Sequence, residues 1–241
     1  MLIAGTSVLV VIAAGLGVAR SPLLAVRHVR VTGTVHLSPG DVVAASGLGG
    51  HDQLLDVNAG AVARRIEQAP WVGTASVRRE WPTTVRVAIT ERVPVATVVG
   101  AGGSMAVDKA GRVLAIAAPD LHVPALEPQA GVAAPLAPTP GSAVDRLFSP
   151  GLAVAAAMPA DLAPRVQAIV VGSAGDVRLR LVSGQDVILG SVSDMGAKLV
   201  AVLTLEVRQK LGPGTLDVTV PAAPVLTPPP TVGNFSTRTG G

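Results

Sequence analysis

Residues Arg79–Ala96 read REWPTTVRVAITERVPVA, and they give the clearest secondary-structure signal in the first half of the chain. Trp81-Pro82-Thr83 predicts a turn, because proline fixes φ near the value that turns require. From Thr84 to Arg92 apolar and polar side chains alternate, which is the period of a half-buried strand. Pro94 lacks a backbone N–H and therefore ends that strand. Together with a strand over residues 72–81, the stretch predicts a β-hairpin.

Three further elements are predicted upstream of the hairpin. A strand is expected over residues 26–32, where apolar and polar side chains alternate. Two helices follow, from Ser38 to Gly47 and from Asn58 to Pro70, because each begins at an N-cap residue and ends at a helix breaker. The resulting order, β-α-α-β-β, predicts a three-stranded sheet with both helices on one face.

The first residues of the chain are apolar. Met1–Ala19 contains no charged residue, and as a helix this segment would rise roughly 28 Å, close to the ~30 Å hydrocarbon core of a membrane. A transmembrane helix is therefore expected over residues 1–20. A cleaved signal peptide is the alternative, since Gly17 and Ala19 are small enough for a peptidase site.

The charges around this segment conflict with an anchor of the usual orientation. Three arginines follow it, and the positive-inside rule would then leave the remaining chain in the cytoplasm, although long folded domains translocate regardless of that count. An Arg- or Lys-rich segment upstream of Met1 would resolve the conflict, and we hypothesise that one exists.

The composition excludes several classes of function. The 241 residues include no cysteine, no tyrosine, two tryptophans and two phenylalanines, and the net charge is +3. Without cysteine there is no disulfide framework, no thiolate nucleophile and no Cys-type zinc site. Four aromatic side chains are too few for the stacking platforms of nucleic-acid-binding proteins. The four histidines are scattered without metal-ligand spacing, so we predict no catalytic residue, no metal site and no cofactor, and expect a protein that is not an enzyme.

The second half of the chain is predicted to be rich in β-structure. Four prolines between Glu127 and Gly141 indicate an exposed loop, and a helix is expected over residues 145–158. Short strands are expected over residues 95–99, 104–107, 112–117, 166–171, 176–182, 186–189 and 215–220. The fold class is therefore α+β.

The strongest helical signal in this half covers residues 194–211. An i,i+4 apolar stripe is formed by Leu199, Leu203, Val207 and Leu211. Such a stripe is typical of an amphipathic helix that covers a sheet, with a partner-binding groove as the alternative.

A β-α-α-β-β unit directly after a single membrane span resembles the POTRA domain of the FtsQ/DivIB bacterial cell-division proteins. The resemblance is carried by the W-P-x-T turn, the alternating strand after it and the E-R-x-P-V-A run. The motif residues are Trp81, Pro82, Thr84, Glu91, Arg92 and Pro94. Met105–Leu114 is similar to the hairpin that opens the second, β-rich domain of the family. The resemblance implies a POTRA domain (24–94) and an FtsQ-type β domain (95–226) after the transmembrane helix (1–20). The proline-rich end of the chain (227–241) has no periodicity and is predicted to be a disordered tail.

The resemblance also implies a function. The chain would be a non-enzymatic, single-pass scaffold of the cytoplasmic (inner) membrane, with its bulk outside the cytoplasm, at the division septum. Its partners would be divisome membrane proteins of the FtsB/FtsL (DivIC) type and septal wall-synthesis proteins, with membrane lipid around the span and no nucleic acid. The alternative from another class is an extracytoplasmic ligand-binding protein or envelope enzyme with a dispersed site. An outer-membrane assembly or secretion factor would need a series of alternating strands that this sequence lacks.

Partner binding is expected at the last edge strand of the second domain, where an unpaired strand can accept a partner strand through backbone hydrogen bonds. The residues predicted to take part are Val218, Val220, Ala223, Val225 and Leu226. Pro221 and Pro224 remove two donors from this segment. They would shorten the pairing, or alternatively block it.

Three expectations concern the first domain. Trp81 is expected to pack in the core, with a partner contact as the alternative. Glu91 and Arg92 are expected to form a local ion pair of small energetic value. Residues 20–93 carry the whole charge excess, with nine arginines against six acids. This excess would favour an anionic membrane surface, or would simply be solvated.

Overall fold

A computed structural model describes residues 22–50, 52–100, 102–133, 135–209 and 213–229 of the chain. They form two compact units, one ending at Val93 and the other beginning at Pro94. The predicted transmembrane helix and most of the predicted tail lie outside the described residues. Within those ranges the structure contains no helix that is both long enough and apolar enough to cross a membrane.

The first unit has the predicted order of elements. They are β1 (His28–Thr32), α1 (Pro39–Ser46), α2 (Ala59–Ile66), β2 (Val72–Glu80) and β3 (Thr84–Glu91). Among the described residues of this unit the sheet order is β1-β3-β2, with β1 parallel and β2 antiparallel to β3. A parallel pair requires a crossover connection, and the two helices supply it.

Local signals fix the helix bounds. Ser38 Oγ accepts the N–H of Asp41 at 3.1 Å, and the Asp41 carboxylate accepts the N–H of Ser38 at 3.2 Å, which is a complete capping box. Gly47 ends α1 with a φ of 65°, a conformation that glycine adopts at little cost. Asn58 caps α2 by accepting the N–H of Ala61 at 3.0 Å. The predicted helix starts are thereby confirmed.

The helices cover one face of this sheet. Val85, Val87 and Ile89 of β3 are buried with Val62 and Ile66 of α2. The residues between them on β3, Arg86, Ala88 and Thr90, are exposed. The sheet therefore has one apolar face under the helices and one polar face without helices.

In its described residues the second unit is a mixed sheet with two α-helices. Its elements are β4 (Pro94–Gly100), β5 (Gly103–Asp108), β6 (Val113–Ile116), β7 (Ala125–Pro128), α3 (Ser149–Ala157), β8 (Val166–Val171), β9 (Val177–Leu181), β10 (Gln185–Gly190), α4 (Met195–Gln209), β11 (Gly214–Asp217) and β12 (Val225–Thr227). The described strands form one nine-stranded sheet in the order β12-β11-β10-β9-β8-β7-β4-β5-β6. This confirms a β-rich, mixed domain.

The two helices pack on this sheet and on each other. Gly151 of α3 allows a close approach, because a Cβ there would lie 2.8 Å from methyl groups of both Leu126 and Val171. In α4 the buried residues include Lys198, Leu199 and Val202. Of the apolar stripe predicted for this helix, Leu199 is buried but Val207 is exposed, so the prediction is partly wrong.

Two departures explain that error. Val207 is 58% exposed, whereas Leu199 is fully buried, so the stripe leaves the sheet toward the end of α4. Leu211, the last member of the stripe, lies outside the described residues. The contacts of the helix, rather than its apolar spacing, decide which of its side chains are buried.

Candidate partner-binding edge

β12 is the outermost strand at one end of the nine-stranded sheet. It pairs antiparallel with β11, with Asp217 opposite Val225, Leu216 opposite Leu226 and Thr215 opposite Thr227. Within the described part of the chain no strand pairs with its other side. That side carries backbone N–H and C=O groups that can accept a further strand.

Four of the five predicted binding residues are accessible. Val225 is 59% exposed and Leu226 is 48% exposed, and both belong to β12. Val220 is 59% exposed and Ala223 is exposed, and both lie in the turn before β12, where the Ala223 N–H donates to the Val220 carbonyl at 3.0 Å. The strand therefore brings together Val225 and Leu226, while the turn presents the other two beside it.

Val218, the fifth predicted binding residue, is the exception, because the structure does not expose it. It is completely buried, and its N–H donates to the carbonyl of Ile188 at 3.0 Å. The predicted strand over 215–220 ends at Asp217, because Asp217 Oδ1 accepts both the N–H of Thr219 at 2.8 Å and its hydroxyl at 2.5 Å. Val218 lies on the same buried side as Leu216, two residues before it, with the less buried Asp217 between them.

Prolines limit the open side of β12. Pro224 precedes the strand, and Pro228 and Pro229 follow it, so neither flank can donate a backbone N–H. Successive residues of a strand direct their N–H groups to opposite sides. The three residues of β12 therefore offer one or two donors to a partner.

A buried lysine connects α4 to the end of β10, two strands away from β12. Lys198 of α4 is 2% exposed, and its Nζ donates to the carbonyls of Leu189 at 2.9 Å and Ser191 at 2.8 Å. The hydrogen bonds from Thr219 lower the pKa of Asp217, and the positive charge of Lys198 adds to that effect. Sequence analysis missed Lys198, since a lysine in an amphipathic helix is normally assigned to the exposed face.

The opposite end of the sheet is more fully covered. β6 pairs with β5 on one side, and on the other the segment 141–144 bonds to its beginning: the Val113 N–H donates to Ser142 at 2.9 Å, and the Gly141 N–H donates to Val113 at 2.8 Å. β12 is thus the better of the two ends for strand addition.

The second unit also contains an apolar pocket of about 190 Å³, lined by Val98, Leu126, Pro138, Phe148 and neighbouring residues. Two carboxylates reach it, and both are engaged. Glu127 pairs with Arg180 at 3.0 Å, and Asp145 accepts the N–H of Leu147 at 2.8 Å. Across the described ranges, no three His, Asp or Glu side chains are grouped in a way that could hold a metal ion.

The motif residues of the first unit lie around the β2–β3 hairpin. Pro82 is in the turn, Thr84 begins β3, and Pro94 begins β4. Trp81 is 57% exposed, so its predicted core packing is wrong. A tight turn at the end of a hairpin has no second layer over it, and the indole remains in solvent.

Glu91 and Arg92 make contacts with the backbone that the sequence analysis did not predict. The Arg92 Nε donates to the carbonyl of Val72 at 3.0 Å. The Glu91 carboxylate accepts the N–H groups of Val35, His36 and Leu37 at 2.8 to 3.0 Å, and the His36 ring lies 2.8 Å away. Glu91 therefore fastens the loop before α1 to the end of β3.

These hydrogen bonds also determine the ionisation of Glu91. Burial alone would raise its pKa, but donation from the backbone of Leu37, Val35 and His36 and from the His36 ring outweighs it and lowers the pKa from 4.5 to about 2. The carboxylate is therefore charged across the physiological pH range.

Comparison with known proteins connects both units to one family. The family description "POTRA domain, FtsQ-type" matches residues 24–92, and "Cell division protein FtsQ/DivIB, C-terminal" matches residues 96–218. The chain belongs to the FtsQ family of cell division proteins. The resemblance to FtsQ/DivIB proteins that the sequence motifs indicate is confirmed.

Several cell division proteins named FtsQ are similar over most of the chain. The FtsQ of Mycobacteroides abscessus is 34% identical over 223 residues, which cover 90% of this chain and 67% of the relative. The FtsQ of Mycolicibacterium smegmatis is 32% identical, over 89% of this chain and 61% of the relative. The FtsQ of Streptomyces collinus is 34% identical, over 85% and 78% respectively. The chain thus spans about two thirds of the length of the mycobacterial FtsQ proteins.

The candidate binding strand lies beyond the part of the chain that matches the family description. The C-terminal FtsQ/DivIB match ends at Val218, before β12 begins at Val225. The buried Lys198 and the turn at Asp217 lie inside the match, whereas the candidate strand lies outside it.

Proposed function

We propose that the chain is a non-enzymatic scaffold of the bacterial divisome that offers β12 to a partner strand. The partners are small membrane proteins of the FtsB/FtsL (DivIC) type, and their capture is coupled to septal cell-wall synthesis. A single membrane span at residues 1–20 holds both units outside the cytoplasm at the septum. Membership of the FtsQ family supports a role in cell division, and the partners, the anchor and the location are the proposed part.

One observation carries this proposal: an outermost strand with one unpaired side and two exposed apolar side chains, Val225 and Leu226. Main-chain hydrogen bonds supply the general affinity in strand addition, and alternate side chains supply specificity. Because β12 offers few donors, the side chains of Val225 and Leu226 must contribute much of the binding.

The alternative, a ligand-binding protein or an enzyme, has less support. The apolar pocket presents carboxylates that are already bound to Arg180 and to the backbone of residue 147. An acid–base pair needs a carboxylate that can reach a substrate. Nothing in the lining of this pocket favours chemistry over packing.

The test uses a charge on β12 and a matched control elsewhere. Val225→Asp places a carboxylate on the exposed strand, and Val182→Asp places the same group at a site that is 68% exposed and outside β12. Both changes are at accessible side chains, so both variants should fold as the wild type does. Each variant is expressed in cells with tagged partners of the FtsB/FtsL type, and co-purification is measured.

We expect Val225→Asp to abolish capture and Val182→Asp to retain it. Photo-crosslinkers placed along residues 216–226 in membranes should trap the same partner at Val225 and Leu226 and not at the buried Val218. Undiminished capture by Val225→Asp, or equal loss in both variants, would refute β12 as the binding strand.

A further inference from the structure

Exposed apolar side chains gather at one end of the first unit. β1 is parallel to β3, with His28 opposite Thr84, and the N–H groups of Arg27 and His28 both donate to the carbonyl of Thr83, at 2.9 and 3.2 Å. The chain therefore enters this unit at the end of the sheet that holds the Trp81 turn. Trp81 is 57% exposed there, and Leu23, just before β1, is 68% exposed.

A third apolar side chain joins this end. Leu55 is 42% exposed. Its segment is tied to the incoming chain, because the Leu54 N–H donates to Leu24 at 2.8 Å. It is also tied to the end of β2, because Arg79 Nη1 donates to the Leu55 carbonyl at 3.1 Å. We call Leu23, Leu55 and Trp81 the N-terminal edge.

Arginines stand in a row on the helix-free face next to this edge. Arg86 of β3 lies opposite Arg30 of β1 on one side and opposite Arg78 of β2 on the other. All three are exposed. On the described part of this face Glu80 is the acidic residue, and it pairs with Arg86 at 2.6 Å. Like charges directly opposite each other across strands repel, so a bound anion would reduce the repulsion between these arginines.

The surroundings of the row indicate what kind of anion fits. Arg78 and Arg86 border a shallow groove of about 200 Å³ whose other walls are the small residues Ser76 and Ala88. On the described part of this face the strands present Thr, Ser, Ala, His, Arg and Glu, and no large apolar side chain. Protein interfaces usually contain aromatic or aliphatic anchors at their centre, so this face suits phosphate groups better than a folded partner.

We propose that the first unit contacts the membrane surface directly, with the N-terminal edge at the level of the lipid headgroups and the arginine row bound to anionic phospholipids. Tryptophan favours the membrane–water boundary because its ring has both apolar and polar parts. Each basic residue near an anionic leaflet adds to the attraction. The inference rests on the membrane attachment in the proposed function.

The sequence before this edge makes the contact geometrically possible. The apolar run ends at Ala19 and β1 begins at His28. The intervening chain reaches at most about 25–30 Å when fully extended. The N-terminal edge is therefore the end of the first unit that is separated from the proposed anchor by the fewest residues.

The two tryptophans allow a test with an internal control. Trp71 precedes β2, whose first residue lies opposite Glu91, and Trp81 follows the last residue of β2. A strand of this length spans roughly 30 Å, so the two indoles are at opposite ends of the sheet. Trp71→Phe leaves only Trp81 as a fluorophore, and Trp81→Phe leaves only Trp71.

The full chain is reconstituted in phosphatidylcholine vesicles with and without phosphatidylglycerol, and brominated phosphatidylcholine serves as the quencher. We expect several-fold stronger quenching of Trp81 than of Trp71 when phosphatidylglycerol is present, and a decrease of that quenching at high salt. Equal quenching of the two tryptophans, in vesicles to which the chain is bound, would overturn the membrane contact and leave the anchor standing.

The arginine row is tested separately. The triple variant Arg30→Gln, Arg78→Gln, Arg86→Gln should lose the phosphatidylglycerol dependence of Trp81 quenching. A control with the same loss of charge, Arg146→Gln, Arg178→Gln, Arg208→Gln, changes three exposed arginines of the second unit and should retain it. Unchanged dependence in the first triple variant would overturn the role of the row.

A second probe covers the case in which a tryptophan variant fails to fold. The chain has no cysteine, so Leu55→Cys accepts one environment-sensitive dye at the N-terminal edge. Its emission should shift to the blue in phosphatidylglycerol vesicles. Failure of the full chain to float with vesicles would overturn this inference and the proposed anchor together, whereas loss of partner capture by Val225→Asp tests β12 alone.

Discussion

In each unit a nearly buried charged side chain, Glu91 or Lys198, holds a neighbouring segment of chain, and these two charges are opposite. In the first unit the Glu91 side chain is 6% exposed and accepts hydrogen bonds from the N–H groups of residues 35–37. In the second unit Lys198 is 2% exposed and donates to the carbonyls of Leu189 and Ser191. The Glu91 carboxylate thus accepts hydrogen bonds from backbone N–H groups, and the Lys198 ammonium donates hydrogen bonds to backbone carbonyls.

The difference lies in what each charge organises. Glu91 gathers the N–H groups of a loop that leads into α1, far away in sequence. Lys198 fastens α4 to the end of β10, two strands away from β12 in the sheet. A buried charge is tolerated when several backbone groups of the right polarity surround it, and removal of the charge then leaves those groups without partners. The two residues should therefore be stabilising in their own units, and for different segments.

The largest effect is expected for Lys198→Ala. The change removes a buried aliphatic stem and leaves two carbonyls without a donor, so the free energy of unfolding should fall by about 3–4 kcal/mol. Urea denaturation followed by far-UV circular dichroism measures it. Lys198→Met keeps the stem and should be less destabilising, and an equal loss in both variants would contradict a role for the stem.

A slightly smaller effect, with a pH dependence, is expected for Glu91→Gln. The folded-state pKa is lowered from 4.5 to about 2, which corresponds to about 3 kcal/mol of stability at neutral pH. Because the folded-state pKa is the lower one, this stability is fully present above pH 4.5 and is lost as the pH falls toward 2. The difference between wild type and variant should therefore be large at neutral pH and small near pH 2.

Tryptophan fluorescence during urea unfolding reports this difference, since both tryptophans belong to the first unit. Trp71 is especially suitable because its ring stacks on His36, with 4.3 Å between ring centres. Glu80→Gln is the matched control, because the Glu80–Arg86 pair is solvent-exposed and is worth less than about 1 kcal/mol. A pH-independent difference for Glu91→Gln would contradict the lowered pKa.

The smallest effect is expected for Ser38→Ala. It removes the side-chain acceptor for the N–H of Asp41, and the loss of an N-cap costs about 1 kcal/mol. The same fluorescence measurement detects it. Ser76→Ala, on the exposed face of β2, should change stability by less than about 0.5 kcal/mol, and comparable losses would show that capping is not the cause.

Elements with local signals were predictable from the sequence. Ser38 and Asp41 lie three residues apart and satisfy each other's backbone groups, so the start of α1 needs no information from distant residues. The β2–β3 hairpin is likewise fixed by its turn and its alternation. The position of the candidate edge strand came instead from the family resemblance, and the structure has a strand at Val225–Thr227, the last residue of which lies in the predicted tail.

The remaining features depend on contacts between distant residues. Glu91 finds its donors more than fifty positions away, and Lys198 is buried because α4 lies against the end of β10. Val218 was placed on the binding surface with its neighbours at the end of the second domain, but it shares the buried side of Leu216, and its N–H donates to Ile188 of β10. Trp81 was assigned to the core from its residue type, whereas its place in a tight turn leaves it exposed.

The prolines on both sides of β12 have a consequence for assembly. An open sheet edge can recruit copy after copy of the same chain and grow into a fibre. Pro224 on one side, and Pro228 with Pro229 on the other, limit β12 to three residues. A strand this short offers too few backbone hydrogen bonds for fibre growth. If β12 holds a partner as proposed, the same limit leaves few backbone hydrogen bonds to break, and the partner would be exchangeable.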